Sequence, residues 1–247
     1  MNQFTRFIIT VIIALSLSLF ISSATAKVDY ALYGELLERY VDEHGIAYQE
    51  WSRNEVDLRH LDSILAAWAQ VDVAALSKAE QKAFYINLYN AAMLQVVFKH
   101  YPLKSVKHIG LIPFSIFKKD FIHQSGRKLS LDDVEKGILL KAFADPRIHF
   151  AVNCASESCP PLRAEPFLGS KLEAQLEEQT RLFAESDRAF RKNEAGRYAF
   201  SELFKWYDDD FPGEHPALYL NQYRSEPLSV SQTFDWVSYD WSLNAVR

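Results

Sequence analysis

The sequence predicts an α+β fold that is mostly helical, with a buried central helix and a small, mainly antiparallel sheet. Several segments carry apolar residues at helical spacing. The candidate strands are short and do not alternate regularly with the helices, which argues against a doubly wound α/β fold. No internal repeat or low-complexity linker divides the chain. We therefore expect one globular domain over residues 27–247.

The N-terminal segment 1–26 has the features of a cleavable signal peptide. Arg6 supplies a positive charge, an apolar run follows it, and Ala24-Thr25-Ala26 gives the small-x-small pattern that precedes cleavage. The apolar run is shorter than the roughly 20 residues that a membrane-spanning helix needs. We expect cleavage after Ala26 and a mature chain that is periplasmic or secreted, with no membrane attachment.

Composition excludes some function classes. The chain has 17 Phe, 12 Tyr and 5 Trp, enough apolar material for a core that needs no disulfide. The formal charge is -5, and the basic residues are scattered among acids and form no basic patch, so nucleic-acid binding is not expected. No phosphate loop, dinucleotide fingerprint or zinc quartet is present, so no cofactor or metal is expected. The expected partner is a small molecule, a peptide or another periplasmic protein.

The N-terminal half of the mature chain is predicted to be helical. Apolar stripes indicate helices over about 30–43 and 55–70, separated by an extended piece near residue 46. The best-signalled helix starts with a capping box between Ser77 and Glu80 and stops at Tyr101-Pro102. It is apolar over most of its circumference, which predicts that it is the buried central helix.

The remainder mixes short elements. Residues 103–130 are predicted to be irregular, with a turn at Ser125-Gly126. The later elements are predicted as a capped helix from Ser130 to Phe143, a strand at 147–153, a helix at about 167–186, a hairpin turn at 193–196, short helices at 201–207 and 216–223, and an extended segment at 234–240. The acidic run 208–210 is expected to be a solvated turn.

The stretch from Arg147 to Cys159 contains a histidine, an asparagine and both cysteines of the protein. On a strand, His149 and Asn153 would share one face, next to the turn that carries Cys154. A histidine can activate a thiol, and an asparagine can orient the histidine or bind an oxyanion. These residues are therefore candidates for a catalytic site, although a buried histidine that satisfies a backbone group is the simpler interpretation.

The same cysteines support a second interpretation. Exported proteins usually have paired cysteines because their compartment is oxidising. A bridge between Cys154 and Cys159 would close a short loop and stabilise the fold by roughly 2 kcal/mol. The spacing differs from that of Cys-x-x-Cys exchange enzymes. A structural disulfide and a reactive thiol both remain open at this point.

Two asparagines lie within the apolar central helix. Asn87 and Asn90 are three residues apart and hence on adjoining positions of one face. Buried amides need partners, so they either line a polar pocket, hold the 147–154 segment or cap neighbouring loops. The C-terminal run around Tyr239 and Asp240 suggests a docked tail. The candidate ligand-binding residues are Asn87, Asn90, Arg147, Tyr239 and Asp240.

Four ordered motifs together resemble the domain-of-unknown-function 547 family. They are Ala83-Phe84-Tyr85-Ile86-Asn87-Leu88-Tyr89-Asn90-Ala91, Leu129-Ser130-Leu131-Asp132-Asp133-Val134-Glu135, the run Asp145 to Arg163 around the cysteines, and Tyr239-Asp240-Trp241-Ser242-Leu243-Asn244. The resemblance covers about 55–247 and is that of a stand-alone exported bacterial member. It implies a domain but no activity and no catalytic residues.

Three hypotheses follow. The first is a binding module whose polar pocket surrounds His149 and Asn87. The second is a thiol-dependent hydrolase or acyltransferase on peptide or amide bonds, with Cys154 as nucleophile, His149 as base and Asn153 or Asn87 as the orienting group. The third is a structural accessory domain without a ligand.

Overall fold

The computed structural model describes residues 27–194, 196–211, 213, 215–230 and 233–246. The predicted signal peptide lies outside these residues. In the part of the chain that is described, no helix has both the length and the apolar character needed to cross a membrane.

The predicted α+β class is confirmed. The helices are α1 (Ala31–Tyr40), α2 (Tyr48–Arg53), α3 (Glu55–Trp68), α4 (Lys78–His100), a π-helix (Asp133–Leu140), α5 (Lys141–Phe143), α6 (Ile148–Ala151), α7 (Leu172–Ala184), α8 (Leu203–Trp206) and α9 (Pro216–Leu220). The strands are β1 (Val41–Asp42), β2 (Gly45–Ile46), β3 (Ile122–Gln124), β4 (Arg127–Leu129), β5 (Phe190–Lys192), β6 (Tyr198–Ser201) and β7 (Asp235–Val237). The pairs β1–β2, β3–β4 and β5–β6 are antiparallel, whereas β7 pairs with β6 in parallel.

Helix α4 is the buried central helix that its sequence predicts. Its capping box is formed, because the Ser77 hydroxyl accepts a bond from the Glu80 N–H and the Glu80 carboxylate accepts one from the Ser77 N–H. Its middle, from Phe84 to Val97, is buried almost throughout, and α3 and the π-helix pack against it. A second, largely aromatic core gathers around Phe150, away from α4.

The prediction of a strand at 147–153 is wrong. Residues 148–151 form the single helical turn α6, and the chain becomes extended only at Val152. Asp145 starts the turn, because its carbonyl accepts the Ile148 N–H and its side chain accepts the Arg147 N–H. Pro146 fixes a helix-compatible φ there. Since Ile148 packs in the main core and Phe150 in the aromatic core, the segment is apolar on both sides and mimics a strand.

Two smaller expectations also change. The extended piece near residue 46 is present as β1 and β2, but residues 48–53 form an additional helix, α2. The region 103–130, expected to be irregular, contains the hairpin β3–β4 around the expected turn at Ser125-Gly126. The capped helix that begins near Ser130 contains the π-helix, a form that often occurs at functional sites. The C-terminal tail is docked as expected, because the Glu157 N–H donates to Ser242 and the Leu243 N–H donates to Lys104.

One side chain joins α4 to the segment that leaves α6. The Asn90 amide nitrogen donates to the Ala151 carbonyl at 3.0 Å, and its oxygen accepts the Asn153 N–H at 2.8 Å. All three residues are buried, so neither backbone group has access to water as a substitute partner. Of the roles predicted for Asn90, the one observed is that of holding the 147–154 segment.

Replacing Asn90 with Ala should lower the free energy of unfolding by on the order of 3 kcal/mol, because two buried backbone groups lose their partners. Gln95→Ala on the same helix is the matched control, since the Gln95 amide bonds to Asp62 near solvent. The control should change stability by less than about 0.5 kcal/mol. Urea unfolding followed by circular dichroism measures both, and equal effects would contradict the role of Asn90.

Candidate functional site

A pocket of about 510 Å³ opens where the cysteine loop, the π-helix, α8 and the C-terminal tail meet. Its aromatic wall consists of Phe114, Phe117, Trp206, Tyr239 and Trp241. The Trp241 ring contacts Tyr239 at 4.7 Å and Phe114 at 4.6 Å between centroids, and Trp206 contacts Tyr239 at 4.8 Å. The rings brace one another, so the wall is formed before any ligand binds.

The loop after α6 carries the cysteines to the floor of this pocket. The Asn153 side chain accepts the Ala155 N–H at 3.0 Å and donates to the Pro160 carbonyl at 2.8 Å, which joins the two ends of the loop. Ala155 adopts a left-handed conformation with φ 59°, and the Cys159 N–H donates to the Ser156 carbonyl. The chain therefore reverses within a few residues. Asn153 shapes the loop and does not line the pocket.

Both cysteines are free thiols in the structure, and they differ in exposure. Both line the pocket, but Cys154 is half-buried whereas Cys159 is buried. The Cys154 N–H donates to the Cys159 sulfur at 2.9 Å. The Cys154 sulfur lies 3.0 Å from the Ser156 hydroxyl and 3.3 Å from the Tyr239 hydroxyl. The predicted bridge is not formed here, and the two sulfurs are neighbours.

These contacts give the two thiols opposite acidities. Burial raises the pKa of Cys154, but hydrogen bonds from the side chains of Cys159, Ser156 and Tyr239 outweigh it and lower the pKa below its ordinary value. Burial raises the pKa of Cys159 well above normal, and the neighbouring Cys154 sulfur raises it further. Cys154 is therefore the thiol that ionises first, and Cys159 keeps its proton.

His149 lies in the wall of the same pocket and is almost fully buried. Its Nε2 atom is 2.8 Å from the Asp210 carboxylate, and its ring rests on Tyr207 with centroids 4.1 Å apart. Burial lowers the pKa of His149 and outweighs the opposite effects of Glu135 and Asp210. At neutral pH the histidine is therefore uncharged in the folded protein. Below the ordinary histidine pKa of about 6.5, the unfolded chain binds a proton more readily than the folded protein, so the free energy of unfolding decreases.

The arrangement of Cys154, His149 and Asn153 predicted from the sequence is not assembled through hydrogen bonds. Within the described residues, no hydrogen bond joins His149 to Cys154, and the Asn153 side chain bonds only to loop and tail groups. The cause is α6, which turns His149 away from the face that a strand would have shared with Asn153. His149 and Cys154 nevertheless line one pocket.

Two acids of the site were not among the candidates. Glu135 on the π-helix is buried at the pocket, and its carboxylate accepts a hydrogen bond from the Tyr207 hydroxyl, with 2.8 Å between the oxygens. The sequence does mark Glu135 as unusual, because it is an acid on an apolar helical stripe, four residues after Leu131 and three before Ile138. Asp210 was expected in a solvated turn, but it binds His149. Only its position between aromatic residues hints at that role.

The other predicted residues lie elsewhere. The Asn87 amide bonds both to the carbonyl and to the N–H of Phe167, so it caps a loop and does not meet His149. Arg147 forms ion pairs with Asp145 and Glu173. The Asp240 backbone binds Ser158, and among the predicted ligand-binding residues Tyr239 alone lines the pocket described here. In the described ranges, no group of three His, Cys, Asp or Glu side chains could hold a metal.

Comparison with protein families supports part of the sequence resemblance. The family model described as "Protein of unknown function, DUF547" matches residues 73–184. Residues 73–184 are thus similar to DUF547 domains. No curated protein and no solved structure matches the chain significantly. The DUF547 match includes α4, the π-helix and both cysteines, whereas Trp206, Tyr239 and Trp241 lie beyond it. The pocket floor thus belongs to the family region, and much of the aromatic wall does not.

We expect iodoacetamide to alkylate Cys154 and not Cys159 in the folded, reduced protein, with an apparent pKa below that of an ordinary thiol. Tyr239→Phe removes one donor to the thiolate, so alkylation at neutral pH should slow on the order of fivefold, equivalent to about 1 kcal/mol. Tyr223→Phe, a change remote from the cysteines, should leave the rate unchanged. Mass spectrometry of peptides over a pH series gives both rates. Equal labelling of the two cysteines would refute this assignment.

Proposed function

We propose that the protein is a binding module that takes a small organic molecule or a peptide side chain into the pocket floored by Cys154 and His149. The braced aromatic wall carries this proposal. Aromatic side chains supply large contact areas at low entropic cost, and a concave apolar site with a few convergent polar groups is the usual form of a ligand site. The volume of about 510 Å³ lies in the range typical for such sites.

The charges around the pocket favour a ligand with little net charge. Two lysines, Lys118 and Lys136, and two acids, Asp132 and Glu135, line it, and Lys136 pairs with Asp132 at 3.2 Å. The opposite charges offset each other, so no strong field selects an anion or a cation. An apolar or aromatic group against the wall, with a polar end toward His149, fits this lining. Of the pocket predicted around His149 and Asn87, His149 lines the observed pocket, and Glu135 rather than Asn87 lies beside it.

A thiol-dependent hydrolase or acyltransferase is the second candidate. Cys154 ionises more easily than an ordinary thiol, and the His149–Asp210 pair lies in the same pocket. Against this, the Cys154 N–H, a natural oxyanion donor, already bonds to the Cys159 sulfur. Binding therefore ranks above hydrolysis. A purely structural domain would not need a preformed pocket.

The proposed setting is the periplasm or the extracellular space. The charge, apolar run and small-x-small pattern of 1–26 support export. The partner would then be a small molecule, a peptide or another exported protein. Detection of mature protein beginning at Lys27 in an extracytoplasmic fraction tests this setting directly.

The uncharged fluorophore N-phenyl-1-naphthylamine should bind in the pocket and gain fluorescence. Trp241→Ala opens the wall, because Trp241 contacts Phe114, Tyr239 and Trp206. Affinity should fall by on the order of tenfold, as expected for loss of a central aromatic contact. Fluorescence titration of the folded variants gives the affinity.

The matched control is Trp236→Ala, because Trp236 is also half-buried but packs on Phe234 outside this pocket. It should keep the affinity of the unaltered protein. Bound fluorophore should also slow iodoacetamide alkylation of Cys154 at the pocket floor. The proposal fails if both tryptophan variants lose affinity equally or if bound fluorophore leaves the alkylation rate unchanged.

A further inference from the structure

We propose that Cys154 and Cys159 form a redox-active dithiol that exchanges with disulfides of small thiols or peptides entering the aromatic pocket. Cys154 is the residue that attacks, and Cys159 is the residue that resolves the mixed disulfide. The inference goes beyond ligand binding and does not depend on which ligand occupies the pocket.

The first observation is the asymmetry of the two sulfurs. Cys154 lines the pocket and is half-buried, so an incoming disulfide can reach it. Cys159 lines the same pocket but is only 4% exposed, and its sulfur lies against the backbone N–H of Cys154 and 3.8 Å from the Val152 carbonyl. A mixed disulfide on Cys154 would therefore have Cys159 beside it, while Cys159 itself is shielded from external reagents. This division of roles suits exchange through a mixed disulfide.

The second observation is the loop that holds the pair. Asn153 bonds to Ala155 and to Pro160, and therefore ties together the chain on both sides of the cysteines. The reversal brings the Cys159 sulfur back to Cys154 without a covalent bond. The two thiols are thus positioned as neighbours in the reduced protein, which favours closure of a bridge between them.

The third observation concerns the groups around the attacking sulfur. The hydroxyls of Ser156 and Tyr239 lie 3.0 Å and 3.3 Å from the Cys154 sulfur, and they bond to each other at 3.3 Å. Hydroxyl donors stabilise a thiolate both when it attacks and when it leaves. Tyr239 also belongs to the aromatic wall, so a ligand bound against the wall would lie on the ring whose hydroxyl contacts the sulfur.

The exchange takes place in two steps. The Cys154 thiolate attacks one sulfur of a disulfide R–S–S–R, forms the mixed disulfide and releases R–S⁻. Cys159 then loses its proton to solvent and attacks the Cys154 sulfur, which forms the Cys154–Cys159 bridge and releases a second R–S⁻. The protein is oxidised by two electrons, and the external disulfide is reduced to two thiols. The reverse sequence transfers the bridge to an external dithiol or to two thiols.

The test uses the reduced mature chain, oxidised glutathione as the probe and intact mass as the readout under native conditions. The unaltered protein should pass to the internal bridge without accumulating an adduct, and reduced glutathione should reverse the change. Cys159→Ser should accumulate one stable glutathione adduct on Cys154. Cys154→Ser should react on the order of tenfold or more slowly, because Cys159 is buried. Tyr223→Phe, a change remote from both cysteines, is the control and should still close the bridge.

Three results would overturn the proposal. One is a stable glutathione adduct on the unaltered protein with no ring closure. Another is equally fast reaction of the Cys154→Ser and Cys159→Ser variants. The third is a bridge that reduced glutathione does not reopen, since that would make it a structural disulfide. If either cysteine variant fails to fold, closure and reopening in the unaltered protein decide the question alone.

Discussion

The pair of hydrogen bonds between the Asn90 side chain and the backbone at Ala151 and Asn153 is the interaction on which the site depends. It crosses the boundary between the helical core and the loop that carries both cysteines. An amide is suited to this task because one side chain satisfies a donor and an acceptor on the same stretch of backbone. With this anchor in place, Asn153 is oriented to close the loop, and Cys154 is held at the pocket floor.

The pocket is assembled from parts of the chain that are far apart in sequence. The π-helix contributes Glu135, α6 contributes His149, and the C-terminal tail contributes Tyr239 and Trp241. The tail is held by backbone bonds to residues 156–158, so the aromatic wall and the cysteine loop support each other. Loss of tail docking would remove a donor from the Cys154 sulfur and open the wall at the same time. Ligand binding and thiol reactivity are therefore expected to respond together to changes in this region.

The sequence predicted the local features well and the tertiary arrangement less well. The capping box at Ser77 and the buried character of α4 follow from short-range rules, so they could be read directly. The error at 147–153 has a physical cause, because a short run that is apolar on every side fits a strand and a buried helical turn equally. The aromatic wall could not be predicted, since Trp206 meets Trp241 only through long-range packing. Glu135 could have been predicted from its place as an acid on an apolar helical stripe. The bond between Asp210 and His149 could not, because the two residues are far apart in sequence and no local pattern links them.

The central claim is that the cysteine loop is anchored to the core through Asn90 and is not a mobile surface loop. Hydrogen exchange of the Asn153 amide, resolved by NMR, tests this most directly because that N–H donates to the Asn90 side chain. The account predicts that it exchanges as slowly as amides in the middle of α4, such as that of Met93, through global unfolding. Exchange as fast as that of the Ser225 amide, which bonds to Glu185 at the surface, would contradict the anchor.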